Sequence, residues 1–320
     1  MQGVATVAIL GLRYPDFSIE AGILDGIRIV TAMGGTAEEI VSVAEDADVI
    51  IAGSLPKLTG DVISRLPALR AVVRAGIGVD NIDLDAARDA GLLVVNVPDY
   101  GTEAVAQHTL AMALAAFRRL GEADRIVRSG QWGFADLRPI HVPAASVAGV
   151  VGYGRIGRRV AELLDAVGFG RVVVHDPYAS PAELENLSLA SLLDVSDLVC
   201  LHAPAPEDGS ALIGADQLAR MKPSSALVNT SRGVLIDDGA LADALASGAP
   251  RVAALDVFTP EPPDLTPFEG VMDRVLLSPH MAWYTEESQT DLRRKSATEA
   301  KRFLDGVPAI NPLVAPEEAP

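Results

Sequence analysis

Short runs of Val, Ile, Leu and Ala alternate with helix-period stretches along nearly the whole chain. That alternation restricts the fold more than any other feature. In the first third, VATVAIL, GIRIVTA, ADVIIAG, LRAVVRA and GLLVVNV read as strands bounded by Gly, Pro and Asp. Between them, TAEEIVSVAED, TGDVISRLP and DLDAARDAG carry apolar positions at helical spacing behind capping residues. Strand and helix in strict alternation demand a parallel sheet with right-handed crossovers. The strands are continuous apolar runs, the pattern of strands covered on both faces.

Residues 100–120, YGTEAVAQHTLAMALAAFRRL, predict a helix that is apolar around most of its circumference. Such a helix is expected at a domain junction or a subunit interface. RSGQWGFADLRPIHVPAAS then reads as an irregular connection. A second alternating series runs from SVAGVVGYG to RVLLSPH, in a doubly wound α/β pattern. The helix TEESQTDLRRKSATEAKRFLDG lies beyond it, and the Pro-rich end VPAINPLVAPEEAP reads as a cap or a loose tail. The expected organisation is discontinuous: the chain leaves a first domain (1–97), builds a second (98–284) and returns (285–320).

Composition narrows the function classes. A length of 320 residues favours two cores over one. No apolar run reaches the roughly 18 residues of a membrane span, and the N-terminus lacks the basic region of a signal peptide. The single Cys200 excludes an internal disulfide and fits a reducing cytoplasm. A net charge of −17, from scattered acidic residues, argues against direct nucleic-acid binding. An anionic substrate would need a local basic pocket built from specific arginines. No metal-ligand spacing is read.

Three glycines, Gly152, Gly154 and Gly157, fall within VVGYGRIGRRV, after a strand and at the start of a helix. One reading is a tight turn without a ligand. The other is a pyrophosphate site: Gly152 makes the turn, Gly154 admits close approach, and Gly157 packs helix on strand. The amides of Arg155 and Ile156 would then face the phosphates at a helix N-terminus. Nineteen residues after Gly157 stands Asp176, placed to accept bonds from ribose hydroxyls. The following PYASPAE holds no Lys or Arg, which favours NAD over NADP.

Arg232 follows a buried strand beside Gly233, where a guanidinium fork can grip a carboxylate; the alternative is a surface loop arginine. His280 follows RVLLSP, where an imidazole could trade a proton with an alcohol or carbonyl oxygen. A lone His is more often structural, and His108 and His141 are read that way. Glu261 lies among three prolines in TPEPP; beside His280 it would favour the imidazolium, and otherwise it is an exposed loop residue.

Together with RAGIGVDNID (74–83), LVNTSRGVLIDDGALADAL (227–245), AALDVFTPEPP (253–263) and SPHMAW (278–283), the chain resembles the D-isomer specific 2-hydroxyacid dehydrogenase family. The resemblance implies a Rossmann NAD-binding domain inserted into a flavodoxin-like substrate domain, and a homodimer. It implies hydride transfer between nicotinamide and a D-2-hydroxyacid or 2-oxoacid. In that chemistry Arg232 binds substrate, Glu261 tunes, and His280 is the acid/base. It assigns Asp256 to the nicotinamide carboxamide, His202, Ala203, Pro204 and Thr230 to the nicotinamide side, and Thr109 to a phosphate. Arg74, with the backbone of Gly76 and Ile77, is assigned to the substrate. Hydride and proton must reach one carbonyl, so the site is expected between two closing domains.

RAGIGVDNID is similar to loops of phosphoglycerate dehydrogenases, whereas HMAWYTEES resembles the HAAWYSEQ segment of the C-terminal-binding proteins. In that branch the tryptophan faces substrate, and Trp283 either does so here or packs at the domain junction. Two other readings stay open. One is a doubly anionic substrate, bearing a phosphate or phosphonate paired with Arg74 and Lys57. The other is an NADH-sensing binding module of the co-repressor kind.

Overall fold

The computed structural model describes residues 4–316, apart from 13, 15, 180, 181 and 207. Readings that touch residues 1–3, Ser180 and Pro181 in PYASPAE, Glu207 in HAPAPE, or 317–320 therefore lie outside the described residues. The chain forms two compact units. One comprises the residues up to Gly101 and those from Thr285 on; the other is Thr102–Tyr284.

In the first unit, strands β1 (Thr6–Leu10), β2 (Arg28–Ala32), β3 (Val49–Ala52), β4 (Ala71–Arg74) and β5 (Leu93–Asn96) lie in the order β2-β1-β3-β4-β5. All are parallel, which is the flavodoxin-like arrangement. Every residue of β1 and β3 is buried, as continuous apolar runs require. The Pro-rich end is not a loose tail: Pro312–Val314 pairs antiparallel with β5 and buries Val314. It satisfies the edge that β5 would otherwise leave open. The returning helix Glu286–Leu304 packs on β3, β4 and helix Ser18–Ile23. A buried bidentate pair locks it there, with Arg293 donating to both carboxylate oxygens of Glu20 at 2.8 and 2.7 Å.

The second unit holds β6 (Val147–Val151), β7 (Arg171–His175), β8 (Glu185–Asn186), β9 (Leu198–Leu201), β10 (Ala226–Asn229), β11 (Val252–Leu255) and β12 (Val275–Leu277). Their order, β8-β7-β6-β9-β10-β11-β12, is all parallel. This is the dinucleotide-binding order with one strand added beyond β11. It reverses direction between β6 and β9, and the carboxyl ends at such a reversal are where open α/β sheets bind ligands.

Helix Thr102–Phe117 is buried inside this unit, against helix Arg155–Ala166 and strands β9, β10 and β11. Ala106, Met112, Ala113, Ala116 and Phe117 share a core with Val150, Val228 and Ala254. Its all-round apolarity therefore has a cause within its own unit. Several exposed apolar side chains follow it, among them Leu120, Val127, Trp132, Phe134 and Val142.

Candidate active site

Each candidate residue of the second unit's strand-end loops follows the carboxyl end of a parallel strand. The glycine loop leaves β6, Asp176 follows β7, and His202 follows β9. Thr230 and Arg232 follow β10, Asp256 and Glu261 follow β11, and His280 follows β12. Adjacent strands thus gather groups that are far apart in sequence.

At the glycine loop, Gly152 has φ +92, and a Cβ there would lie 2.5 Å from the His202 carbonyl carbon and oxygen. Gly157 would meet the Gly152 oxygen at 2.0 Å. No side chain fits at either position. Gly154 is the opposite case, since a Cβ there would project into open space. Helix Arg155–Ala166 starts at that point with no side-chain cap, so its first amides and its dipole face the opening. Asp176 supports the loop by accepting from Tyr153 N at 2.7 Å, Tyr178 N at 2.8 Å and Ala179 N at 3.0 Å. Burial pushes its pKa up, but these three donors outweigh burial and hold it below the usual carboxylate range. One cation escaped the sequence reading. Arg158, from the first turn of the helix, stacks 5.2 Å over the Tyr153 ring and donates to the Tyr153 carbonyl.

His202 leaves β9 directly beneath Gly152. Desolvation pushes its imidazole down to about 4, and its buried Nε2 has no hydrogen-bond partner among the described residues. An open glycine cradle, an uncapped helix start and an orphaned imidazole nitrogen suit a dinucleotide. Ser231 Oγ donates to Ala203 O at 2.9 Å, tying the β10 loop to the β9 loop, while Pro204 is exposed. Thr109 is fully buried, its hydroxyl donating to Val105 O and meeting Thr230 Oγ1, both at 2.7 Å. Its visible role is to seat Thr230.

His280 Nδ1 lies 2.7 Å from Glu261 Oε2, and both side chains are exposed. Glu261 Oε1 accepts from Phe258 N at 3.0 Å, which fixes the carboxylate's orientation. With the carboxylate on Nδ1, a neutral ring keeps its proton there and offers a lone pair at Nε2; a protonated ring offers an N–H. His280 has φ +51, a left-handed conformation that residues with a Cβ resist. Asp256 holds it. The Asp256 carbonyl accepts His280 N at 2.7 Å, and the fully buried carboxylate accepts Met281 N at 3.0 Å and Ala282 N at 2.9 Å. Ser278 Oγ adds a 2.5 Å bond to the same carboxylate. Sequence reasoning missed Ser278; its place two residues before His280, at a strand end, was the available signal.

Arg232 is half-buried and donates from Nη1 to Ser231 O at 2.8 Å, while Asn229 Nδ2 pins its carbonyl at 2.8 Å. A Cβ on Gly233 would come 2.1 Å from the Phe258 carbonyl carbon, so the β10 and β11 loops abut. Trp283 is half-buried and stands edge-to-face on Tyr284, ring centres 5.6 Å apart. In the first unit, Arg74 ends β4 and folds its guanidinium back onto the Ala75 carbonyl. Gly76, at φ +144, leaves room for that guanidinium, and Asn96 Nδ2 holds Ile77 O at 2.6 Å. Among the described residues, no group of three or more His, Cys, Asp or Glu side chains could hold a metal ion.

Residues 110–282 match the profile of the D-isomer specific 2-hydroxyacid dehydrogenase NAD binding domain. This chain belongs to the D-isomer specific 2-hydroxyacid dehydrogenase family. It is 36% identical over 295 residues to a D-3-phosphoglycerate dehydrogenase of Methanocaldococcus jannaschii, covering 90% of this chain and 56% of that one. It therefore spans about half the length of the phosphoglycerate dehydrogenases it matches. A glyoxylate reductase of Aeropyrum pernix is 36% identical over 285 residues, 84% of this chain and 83% of that one. A D-lactate dehydrogenase of Aquifex aeolicus, solved with NAD and lactic acid, superimposes with a TM-score of 0.86 at 27% identity. It covers 97% of this chain and 100% of that one. The family's cofactor is the nicotinamide dinucleotide, and the glycine loop belongs to its NAD-binding domain.

Proposed function

We propose that this protein is an NAD-dependent dehydrogenase that interconverts a D-2-hydroxyacid and its 2-oxoacid, with His280 as the acid/base. The observation that carries this reading is the 2.7 Å pair between His280 Nδ1 and Glu261 Oε2, on loops leaving neighbouring strands. The amides at Gly154, Arg155 and Ile156 would hold the pyrophosphate, Asp176 the ribose, and His202, Thr230 and the β9 loop the nicotinamide side. Bound there, NADH supplies the hydride. In the reducing direction, the protonated His280 gives its Nε2 proton to the carbonyl oxygen while the Glu261 carboxylate stabilises the charged ring. The Arg232 fork grips the substrate carboxylate in two bonds and orients the carbonyl. On the first unit, Arg74 and the Gly76–Ile77 backbone are the candidate substrate groups. Trp283 shapes the space for the substrate's tail.

A second reading of the substrate, a doubly anionic hydroxyacid, is favoured by the D-3-phosphoglycerate dehydrogenases among the relatives. The test is NADH oxidation against glyoxylate, hydroxypyruvate, phosphohydroxypyruvate, a phosphonate analogue, phenylpyruvate and a methylthio-oxobutyrate. Turnover confined to the phosphorylated or phosphonate acids selects the second reading, and turnover of the others selects the first. Tight NADH binding without any turnover would replace both with an NADH-sensing binding module.

The same reading makes the protein a cytoplasmic homodimer. Trp132 is 90% exposed and Phe134 63%, so they and Val142 are the side chains that a second copy would cover. No helix among the described residues is long and apolar enough to cross a membrane. Light scattering that gives the mass of one chain would overturn the dimer.

A further inference from the structure

We infer that His108 is a positioning residue for His280, acting through Ser278 and Asp256; the inference rests on the reading of His280 as the acid/base. His108 sits on helix Thr102–Phe117 with its side chain 23% exposed. Its Nε2 lies 3.1 Å from Ser278 Oγ and 3.7 Å from Asp256 Oδ1. The single Ser278 hydroxyl proton is committed to Asp256 Oδ1 at 2.5 Å, so Oγ meets His108 as an acceptor and Nε2 carries the proton. The bonds run one way, from imidazole N–H to hydroxyl to carboxylate. Met112, one turn on, brings Sδ to 3.5 Å from the same hydroxyl, completing its surroundings.

The far end of this line is the loop that does the chemistry. Asp256 binds Met281 N and Ala282 N through its carboxylate, and His280 N through its carbonyl. These bonds enclose a residue at φ +51, and such a conformation persists only where its surroundings over-determine it. Without His108 the Ser278 hydroxyl loses the donor that fixes its rotamer. Asp256 then gains freedom to turn, and the His280 ring drifts from its aim. Misplacement of an acid/base by about 1 Å lowers turnover on the order of a hundredfold, so a partial loosening should cost about tenfold.

The test compares the wild-type protein with His108→Leu, His108→Gln and Ser278→Ala. For each we would measure kcat and KM for the best 2-oxoacid, NADH affinity, thermal midpoint and the His280 Cε1–H resonance, assigned by its loss in His280→Gln. We expect His108→Leu to lower kcat about tenfold, to leave KM and NADH affinity within about twofold, and to move the His280 resonance. His108→Gln, which keeps an N–H donor, should recover most of kcat and return the resonance. Wild-type kcat and an unmoved resonance in His108→Leu would overturn the inference, as would a Gln variant no better than Leu. If His108→Leu does not fold, Ser278→Ala decides, with the same loss of kcat expected and an unchanged kcat overturning it. Should the wild-type protein reduce no 2-oxoacid, the acid/base reading fails. The resonance then still reports, separately, whether His108 positions His280.

Discussion

Asp176 and Asp256 occupy equivalent positions, each the first residue after a buried parallel strand, and each accepts three hydrogen bonds. Their fates differ. Strand β7 has only the two-residue β8 beyond it, so the loop after Asp176 lies open and Tyr178 is 97% exposed. Its carboxylate stays within reach of a ligand from outside. Strand β11 is enclosed between β10 and β12 and covered by helix Thr102–Phe117. Its carboxylate, fully buried, turns inward to hold the His280 loop. A strand-end aspartate thus becomes a ligand acceptor at the rim of the sheet and a loop clamp in its interior.

The largest expected effect lies on the clamp side. His280→Gln should lower kcat by about 10²- to 10⁴-fold while NADH affinity, measured by fluorescence titration, stays near wild type. Loss of NADH binding would mean that His280 holds the cofactor as well as the proton. Next, Asp256→Ala strips buried donors of their acceptor and should destabilise the fold by about 3 kcal/mol in denaturant titrations, with turnover lost. Asp176→Ala removes as many bonds where water can replace them. It should cost about 1 kcal/mol in stability and instead weaken NADH about tenfold. Equal destabilisation by the two substitutions would break the comparison.

The pH dependence sharpens it further. Folding holds the His202 pKa at about 4, against about 6.5 in the unfolded chain. Between those values the unfolded state binds the extra proton, so stability is full above about pH 6.5 and falls toward pH 4. The loss is on the order of 3 kcal/mol at most, and unfolding curves of His202→Asn should lack this component. Asp176, whose pKa is lowered, acts in a lower window: its contribution is present above the ordinary carboxylate range and is lost as pH drops through it. The smallest effect is expected from Arg158→Ala. This variant should leave NADH turnover nearly unchanged and weaken any residual use of NADPH, because it removes the cation that packs on Tyr153 beside Asp176. Better NADPH turnover in the variant would show that Arg158 does not assist a 2′-phosphate.

Much of this site was legible because its signals are local. Gly152 announces a backbone at φ +92 that other residues resist, and a charged or polar residue directly after an apolar run marks a strand end, where α/β ligands bind. Asp176, Arg232 and His280 were found that way. Ser278 and the role of His108 were not, because their meaning depends on a contact across 170 residues. Arg158 carries no such local signal, because the segment after Asp176 holds no Lys or Arg and the cation arrives from another element. The apolar faces of helix Thr102–Phe117 show the same limit of a short window. Apolarity on every side says that a helix is covered and leaves open by what.

The sequence by itself determined two parallel α/β sheets, the glycine turn and the strand-end positions of the candidate side chains. Each of these follows from hydrophobic period, backbone conformational limits or residue chemistry within a short window. Tertiary structure alone decided which of two similar aspartates faces outward, which histidine meets Ser278, and that the Pro-rich end closes the edge of β5. Those outcomes depend on which strands become neighbours, and strand order is set by the packing of the whole sheet.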